Sequence, residues 1–259
     1  MDNRADEYCM TDVTPIDLGN YRRIVVMTGA GISVASGLPT YRGAGGLWDK
    51  VDVRSHATAA AVQADPARVW SFFAEVRAQI AVAQPNVGHL AIAQAERCLR
   101  DDQRLTVLTQ NVDGLHTLAG STRVVELHGS LRRSQCTRCD FERAEDLVLS
   151  PALCPPCPSC SAPLRPAVVL FDEPLSVDAE WESKKVLREC DLFLAVGTSG
   201  TVSPASNFVR AAEYAGARTM YVNLEPMTPA NPAFREVMLG RADELLPQLL
   251  GRAGDALPG

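Results

Sequence analysis

The stretch Ile24-Val25-Val26-Met27-Thr28-Gly29-Ala30-Gly31-Ile32-Ser33 decides how this chain folds. Four apolar residues in a row, without polar alternation, fit a short strand buried on both faces, and such strands belong to parallel sheets. The predicted strand covers residues 21–27 and ends in a glycine turn. Glycines at 29 and 31 let backbone amides approach an anion at the start of a helix. The full G-x-G-x-x-G pattern is not met, since Val34 stands at the third glycine position. A tight turn without a ligand explains the pair equally well.

The same grammar repeats outward from that turn. Asp65-Pro66 starts a helix, with the aspartate as cap and the proline at the first position. Val69, Trp70, Phe72, Phe73, Val76 and Ile80 then favour one side of it. Pro85-Asn86 opens a second helix that runs to Leu99. Residues 105–108, 124–127, 192–196 and 219–222 read as further strands, and 168–171 as another extended segment. Strands alternating with helices imply right-handed crossovers and a mostly parallel α/β sheet. In such sheets ligands lie beyond the carboxyl ends of the strands. Five polar stretches obey that rule, because 29–33, 109–116, 128, 197–199 and 223–225 each follow a strand.

Between about 131 and 166 the rhythm breaks. This segment holds Cys136, Cys139, Cys154, Cys157 and Cys160 with several prolines and little apolar periodicity. Cys136-x-x-Cys139 and Cys157-x-x-Cys160, seventeen residues apart, fit four thiolates closing on one zinc ion. A four-cysteine site has no open position and is structural. Cys154-x-x-Cys157 is also a valid step, but it leaves only fourteen residues after Cys139, so Cys154 is read as a spectator. The expected organisation is a lead over 1–20, flexible or loosely docked, a main unit over 21–130 and 167–250, and a zinc-binding module over 131–166.

Composition sets the bounds. The formal net charge of −6 lacks the electrostatic footprint of a nucleic-acid binder. The longest apolar runs are strand-length, well short of the ~20 residues a membrane span needs. Residues 1–7 are polar and acidic, without the apolar stretch of a signal peptide, so a cytoplasmic location and reduced cysteines are expected.

Gln110, Asn111, Asp113 and His116 crowd into one strand-to-helix turn. Capping accounts for one or two polar residues there, whereas a bound ribose or carboxamide accounts for the set. His128 follows an apolar run and precedes Gly129-Ser130, where an imidazole titrating near pH ~6.5 suits a general base. Tyr41 and Arg42 lie in a glycine-rich loop whose arginine suits a phosphate or carboxylate. Gly197, Thr198 and Ser199 follow one strand, Asn223 and Glu225 another, and Glu225 suits a ribose hydroxyl. Counting about twenty residues past the glycines would select Asp49 instead, but it sits in a loop and not at a strand end.

In ordered combination these motifs resemble the sirtuins, NAD-dependent protein-lysine deacylases. The likeness runs over roughly 24–246 and rests on Gly29-Ala-Gly-Ile-Ser33 with Ser36-Gly-Leu-Pro39, Tyr41-Arg42, Thr109-Gln-Asn-Val-Asp113 with Leu115-His116, His128-Gly-Ser130, both cysteine steps, Gly197-Thr-Ser199 and Asn223-x-Glu225. The resemblance implies an α/β fold: a Rossmann-like parallel-sheet domain with a small inserted zinc-binding domain, NAD and acyl-lysine meeting in the cleft between them. It implies that NAD is consumed as co-substrate, with no hydride transfer. The acyl oxygen attacks the ribose carbon, nicotinamide leaves, and O-acyl-ADP-ribose is the eventual product. His128 matches the family's base, and Asn111 and Asp113 the residues around the nicotinamide carboxamide. Gly29, Ala30, Gly31, Tyr41, Arg42, Gln110, Gly197, Thr198, Ser199, Asn223 and Glu225 match cofactor contacts. Val168, Val169, Phe171 and Glu173 match the strip on which the substrate backbone lies as an added strand.

A Tyr-x-x-Arg pair marks the branch that removes succinyl and malonyl groups, and here Phe73 and Val76 occupy its positions. Arg77 is one residue off and faces another way on a helix. Acetyl or longer apolar acyl groups on lysine are therefore the expected substrates. Two rivals compete with this expectation: a mono-ADP-ribosyltransferase on the same fold, and a non-catalytic NAD-sensing scaffold. Oligomeric state is not legible.

Overall fold

The computed structural model describes residues 13–40, 56–145, 154–200 and 205–251. Tyr41, Arg42 and Asp49 lie outside the described residues.

The apolar run at 24–27 forms β1, Arg23–Thr28, buried at five of its six positions. It is the third of six strands. With β2 (Arg104–Thr109), β3 (Val124–Glu126), β7 (Leu192–Val196), β8 (Arg218–Asn223) and β9 (Glu236–Leu239) the order is β3-β2-β1-β7-β8-β9, and every pairing is parallel. Alternate residues feed opposite faces, as the pleat requires. Ile24, Val26, Leu105, Val107, Leu192, Leu194, Met220 and Val222 pack into one core with helices α3 (Val87–Arg97) and α7 (Ala242–Leu250). Val25, Met27, Leu108, Phe193, Ala195 and Tyr221 pack into another, against α5 (Val177–Arg188) and α6 (Phe208–Tyr214). Helices on both faces of a parallel sheet make a doubly wound α/β layer.

Of the lead, residues 13–20 are described. Ile16 is buried in the first core and its amide donates to the Leu249 carbonyl, so this part is docked. Asp65 caps α2 (Pro66–Val82) through a 3.0 Å bond from the Arg68 amide, with Pro66 in the first turn, as its sequence predicts. The short helices α1 (Ala59–Ala64) and α4 (Leu115–Leu118) complete the α-helices among the described residues. None of these helices is long and apolar enough to cross a membrane.

A second, antiparallel sheet of β4 (Gly129–Cys136), β5 (Glu142–Arg143) and β6 (Leu164–Val168) has the order β5-β4-β6. Two expectations need correction here. The segment 168–171 is not a strand of its own, since β6 begins at Leu164 and ends at Val168. Pro166 interrupts the strand signal in the sequence, yet an edge strand tolerates it. The four-residue β9 was also missed, being too short and too exposed to stand out from a loop.

Trp70 on α2 is 1% exposed and packs with Cys136, Cys157, Ala162 and Leu164, which places it between the helix and the cysteine-bearing sheet. Arg77, one further exposure of 1%, lies over the Trp70 ring at 4.8 Å and donates to Ser134 Oγ of β4. Trp70→Ala is expected to cost about 3–5 kcal/mol, as for other buried large aromatics, read as a lower urea midpoint at unchanged slope. A loss below about 1 kcal/mol would mean that the helix is held elsewhere.

Candidate active site

The site forms where the strands of the parallel sheet end. After β1 the chain turns at Gly29 into a 3-10 helix, Ala30–Ser36, and after β7 it turns at Gly197, which has φ +60. The two turns interlock. Gly29 N donates to Val196 O at 3.0 Å and Gly31 N to Gly197 O at 2.8 Å. A Cβ on Gly31 would sit 2.7 Å from Gly197 Cα, and one on Gly29 would sit 2.8 Å from Gly197 O. These glycines are therefore needed for backbone-to-backbone approach, whatever else their amides hold.

The turn after β2 carries the densest polar cluster. Asn111 is 2% exposed, and its Nδ2 donates to Gly29 O and to Ser33 Oγ, both at 3.1 Å. Its Oδ1 is buried without a protein partner. Asp113 Oδ2 accepts from Ser33 Oγ at 2.8 Å, and Oδ1 accepts from the Leu115 amide at 2.9 Å, in the first turn of α4. Burial pushes the Asp113 carboxyl above its ordinary pKa, and the bonds from Leu115 and Ser33 oppose that shift. Ala30, Ser33, Leu38, Val76, Asn111 and Asp113 line a small cavity. An orphaned buried acceptor on a residue that lines the cavity fits a carboxamide donor.

Gln110 joins three parts of the edge. Its Nε2 donates to Thr198 Oγ1 at 2.9 Å, and its carbonyl lies 3.0 Å from His128 Nδ1. A carbonyl only accepts, so the bond assigns the proton to Nδ1 and leaves Nε2 as the free lone pair. Burial lowers the His128 pKa, and the Gln110 bond partly restores it. Thr198 O accepts from Tyr221 Oη at 3.1 Å, and Asn223 Nδ2 donates to Tyr221 Oη at 2.6 Å. Ser199 and Glu225 are exposed beyond these strands.

The acyl-side residues divide. Val76, Gln79 and Ile80 of α2 line the cavity, whereas Phe73 is buried in a cluster with Leu115, Val168 and Leu170. Arg77 turns to Trp70 and Ser134, away from the cavity, as helix geometry requires. Val169 N donates to His128 O at 2.9 Å, which ties the end of β6 to the histidine. Phe171 lies farther out, half exposed, its amide on Ala57 O. Glu173 accepts from the Leu170 amide and pairs with Arg165 at 3.0 Å, so it is committed to holding the turn.

One grouping needs correction. His116, read together with Gln110, Asn111 and Asp113 as a ligand contact, is buried behind them. Its Nε2 lies 2.9 Å from Thr28 Oγ1 and its ring abuts His89. The side chain points into the sheet layer because it sits on α4 and not on the turn. Asn86 was read only as a helix start, but its Nδ2 also donates to Ile32 O and Ser36 Oγ, which fastens the 3-10 segment. Nothing in the local pattern signals that second duty.

The sulfurs of Cys136, Cys139, Cys157 and Cys160 all lie within 4.8 Å of one another, with Cys136–Cys160 at 3.4 Å and Cys139–Cys157 at 3.7 Å. A tetrahedral zinc with ~2.3 Å Zn–S bonds needs sulfur separations of about 3.8 Å. The quartet fits that ion and is too open for disulfides, whose sulfurs sit ~2.05 Å apart. Cys154 stands outside it and donates to Leu164 O at 3.0 Å.

Comparison with known proteins agrees with this geometry. Residues 29–204 match the model of the Sir2 family. The NAD-dependent protein deacylase 2 of Pyrobaculum aerophilum is 44% identical over 237 residues, covering 90% of this chain and 92% of that one. A solved Sir2 homolog–NAD complex superposes with a TM-score of 0.82 at 32% identity, covering 93% of this chain and 95% of that one. A Sir2 variant solved with a deacetylated p53 peptide and 3′-O-acetyl ADP ribose gives a TM-score of 0.81 at 28% identity, over 92% and 96% of the two chains.

One zinc per chain is expected by elemental analysis. Cys157→Ser should abolish it and lower the melting temperature, because the second sheet has little core without the metal. Cys154→Ser should keep full stoichiometry. Zinc loss in Cys154→Ser, or its retention in Cys157→Ser, would reassign the ligands.

Proposed function

Because this chain belongs to the Sir2 family and is an NAD-dependent protein deacylase, we propose that it removes acetyl or longer apolar acyl groups from protein lysines in preference to succinyl and malonyl. Nicotinamide and O-acyl-ADP-ribose are the proposed products. The observation that carries the acyl preference is the face α2 turns to the cavity: Val76, Gln79 and Ile80 line it without a cation, while Arg77 is buried on Trp70 and Ser134. A dicarboxylic acyl group brings a carboxylate that is best met by a bidentate cation, and α2 offers the cavity only a neutral amide at Gln79 beside Val76 and Ile80.

The proposed roles rest on the family resemblance, and the geometry of the described residues supports them. Bound NAD supplies an electrophilic ribose carbon and a nicotinamide leaving group. Asn111 Oδ1 and the Asp113 carboxyl hold the carboxamide. The interlocked turns at Gly29, Ala30, Gly31 and Gly197, with Tyr41 and Arg42, hold the pyrophosphate. Gln110, Thr198, Ser199, Asn223 and Glu225 serve the remaining nucleotide contacts. His128 Nε2 takes a proton from a ribose hydroxyl, with Nδ1–H anchored on Gln110 O. The substrate main chain lies along Val168 and Val169, with Phe171 flanking and Phe73 backing the acyl channel. That the Sir2 complex above holds a deacetylated peptide with an acetylated ADP-ribose supports the proposed products. The division into a main unit, 21–130 with 167–250, and a zinc module, 131–166, and a cytoplasmic location with acylated proteins as partners, belong to the same proposal.

Two measurements test it. Nicotinamide release and deacylation, followed on matched acetyl-, long-chain acyl- and succinyl-lysine peptides, should run one to one, with succinyl poorest by at least tenfold. Equal succinyl and acetyl turnover would overturn the acyl preference. Nicotinamide release without deacylation, with label on protein, would instead mark ADP-ribosyl transfer. His128→Ala should fold and lose product formation by a factor of about 10² to 10⁴.

The pH dependence carries a sign. The base form of His128 is required, and burial lowers its pKa, so the acidic limb of kcat/KM should have its midpoint below the ordinary imidazole value of 6.5. A limb centred above 6.5 would assign the base to another group.

A further inference from the structure

Behind the polar turn runs a second row of buried side chains to which the proposed reaction gives no role. Thr28 ends β1 and Thr109 ends β2, directly opposite each other in the sheet register. Their hydroxyls lie 2.9 Å apart. Thr28 Oγ1 is also 2.9 Å from His116 Nε2, and Thr109 Oγ1 accepts from the Asn111 amide at 3.1 Å. Thr28, Thr109 and His116 are at most 3% exposed, so no solvent competes for these bonds.

His116 Nδ1 has no protein partner among the described residues. With the ring proton on Nε2 the hydrogens run from His116 to Thr28 to Thr109, and the Thr109 hydroxyl hydrogen is left over; with it on Nδ1 they run the other way, and the Nδ1–H is left over. In both cases Thr28 Oγ1 bridges His116 Nε2 and Thr109 Oγ1, and Thr109 Oγ1 accepts the Asn111 N–H. Burial, with His89 second, holds His116 well below the ordinary imidazole range, so the ring is neutral and carries a single N–H.

The far end of the row is anchored too. The His89 ring of α3 meets His116 edge-on, 4.8 Å between centroids, and His89 Nδ1 accepts from the Asn86 amide at 3.4 Å. Asn86 in turn fastens Ile32 and Ser36 of the segment that also carries Ser33. Ser33 Oγ meets both Asn111 Nδ2 and Asp113 Oδ2. Asn111 is thus held from the backbone side through Thr109, Thr28 and His116, and from the side-chain side through Ser33.

We propose that Thr28 and His116 are positioning residues for nicotinamide recognition, setting the turn after β2 so that Asn111 Oδ1 faces the cavity. The inference rests on the reading of Asn111 as the carboxamide partner. Neither residue touches substrate; both act through Thr109 and the Asn111 main chain.

The test uses the full-length enzyme and nicotinamide itself as probe. Thr28→Val keeps the shape and removes the hydroxyl, and Thr28→Ser keeps the hydroxyl and removes a methyl. Thr28→Val should raise the nicotinamide inhibition constant and the KM for NAD about fivefold, the scale of one buried hydrogen bond, with KM for the acyl peptide unchanged. Thr28→Ser should stay within about twofold of wild type on all three. A purely structural role would lower the melting temperature of both variants and leave the nicotinamide constant where it was, which overturns the proposal. If Thr28→Val fails to fold, His116→Phe, which retains the ring packing on His89 and lacks the hydrogen-bonding nitrogen, must give the same shift. Asn111→Ala separates the two levels of inference. If it raises the nicotinamide constant and the Thr28 and His116 variants do not, the positioning role fails and the carboxamide reading stands. If Asn111→Ala leaves the constant unchanged, the carboxamide reading itself fails and takes the positioning role with it.

Discussion

The structure depends on one close approach: the backbone of the turn after β1 lies against the backbone of the turn after β7, with no room for a side chain between them. Gly31 N donates to Gly197 O at 2.8 Å, and a Cβ on Gly197 would come within 2.5 Å of Ile32 N. Because β1 and β7 are neighbours in register, from Ile24 with Leu192 to Thr28 with Val196, any wedge at this point would splay the two strands where the site begins. Closing the turns instead brings Ser33 over Asn111 and Asp113, and Thr198 over Gln110. The site is a consequence of how tightly three strand ends are drawn together.

That compactness sets the electrostatics. Asn111, Asp113, Ser33, Thr28 and His116 are all nearly inaccessible, in a layer where an unmet polar group costs about 1–3 kcal/mol. Most of them satisfy one another. The exceptions among them are Asn111 Oδ1 and His116 Nδ1, and of these two residues Asn111 lines the cavity and His116 does not. In the proposed function a ligand carboxamide meets the first.

How much of this was legible from the chain varies with the range of the interaction. β1 was readable because a strand buried on both faces writes itself as an unbroken apolar run, and the Asp65-Pro66 start of α2 because capping is local. The cysteine quartet was readable because its ligand spacing is a property of two short turns. β9 was not, since four half-exposed edge residues carry no such pattern. The range 168–171 was misjudged because apolar residues there serve two masters, with Val168 ending a strand and Leu170 filling a core. His116 was misassigned for a different reason. Sequence proximity to Asn111 and Asp113 suggested a shared ligand, whereas one turn of helix is enough to send its side chain behind the sheet edge. Sequence order reports neighbours along the chain, and a site at strand ends is assembled from neighbours across it.

The same distinction explains why the zinc module bears on a pocket it does not line. Trp70 and Arg77 point from α2 into the module, onto the cysteine cluster and Ser134, while Val76 of the same helix points into the cavity. A helix rotated by one residue would exchange these duties, placing the Arg77 cation in the cavity and Val76 against β4. The register of α2 is thus fixed by its burial against the module: the indole has nowhere else to pack, and a guanidinium lying over its face and bonded to Ser134 gains only in that orientation. What that helix presents to the cavity is then settled on another of its faces, where Trp70 and Arg77 pack against the cysteine-bearing sheet.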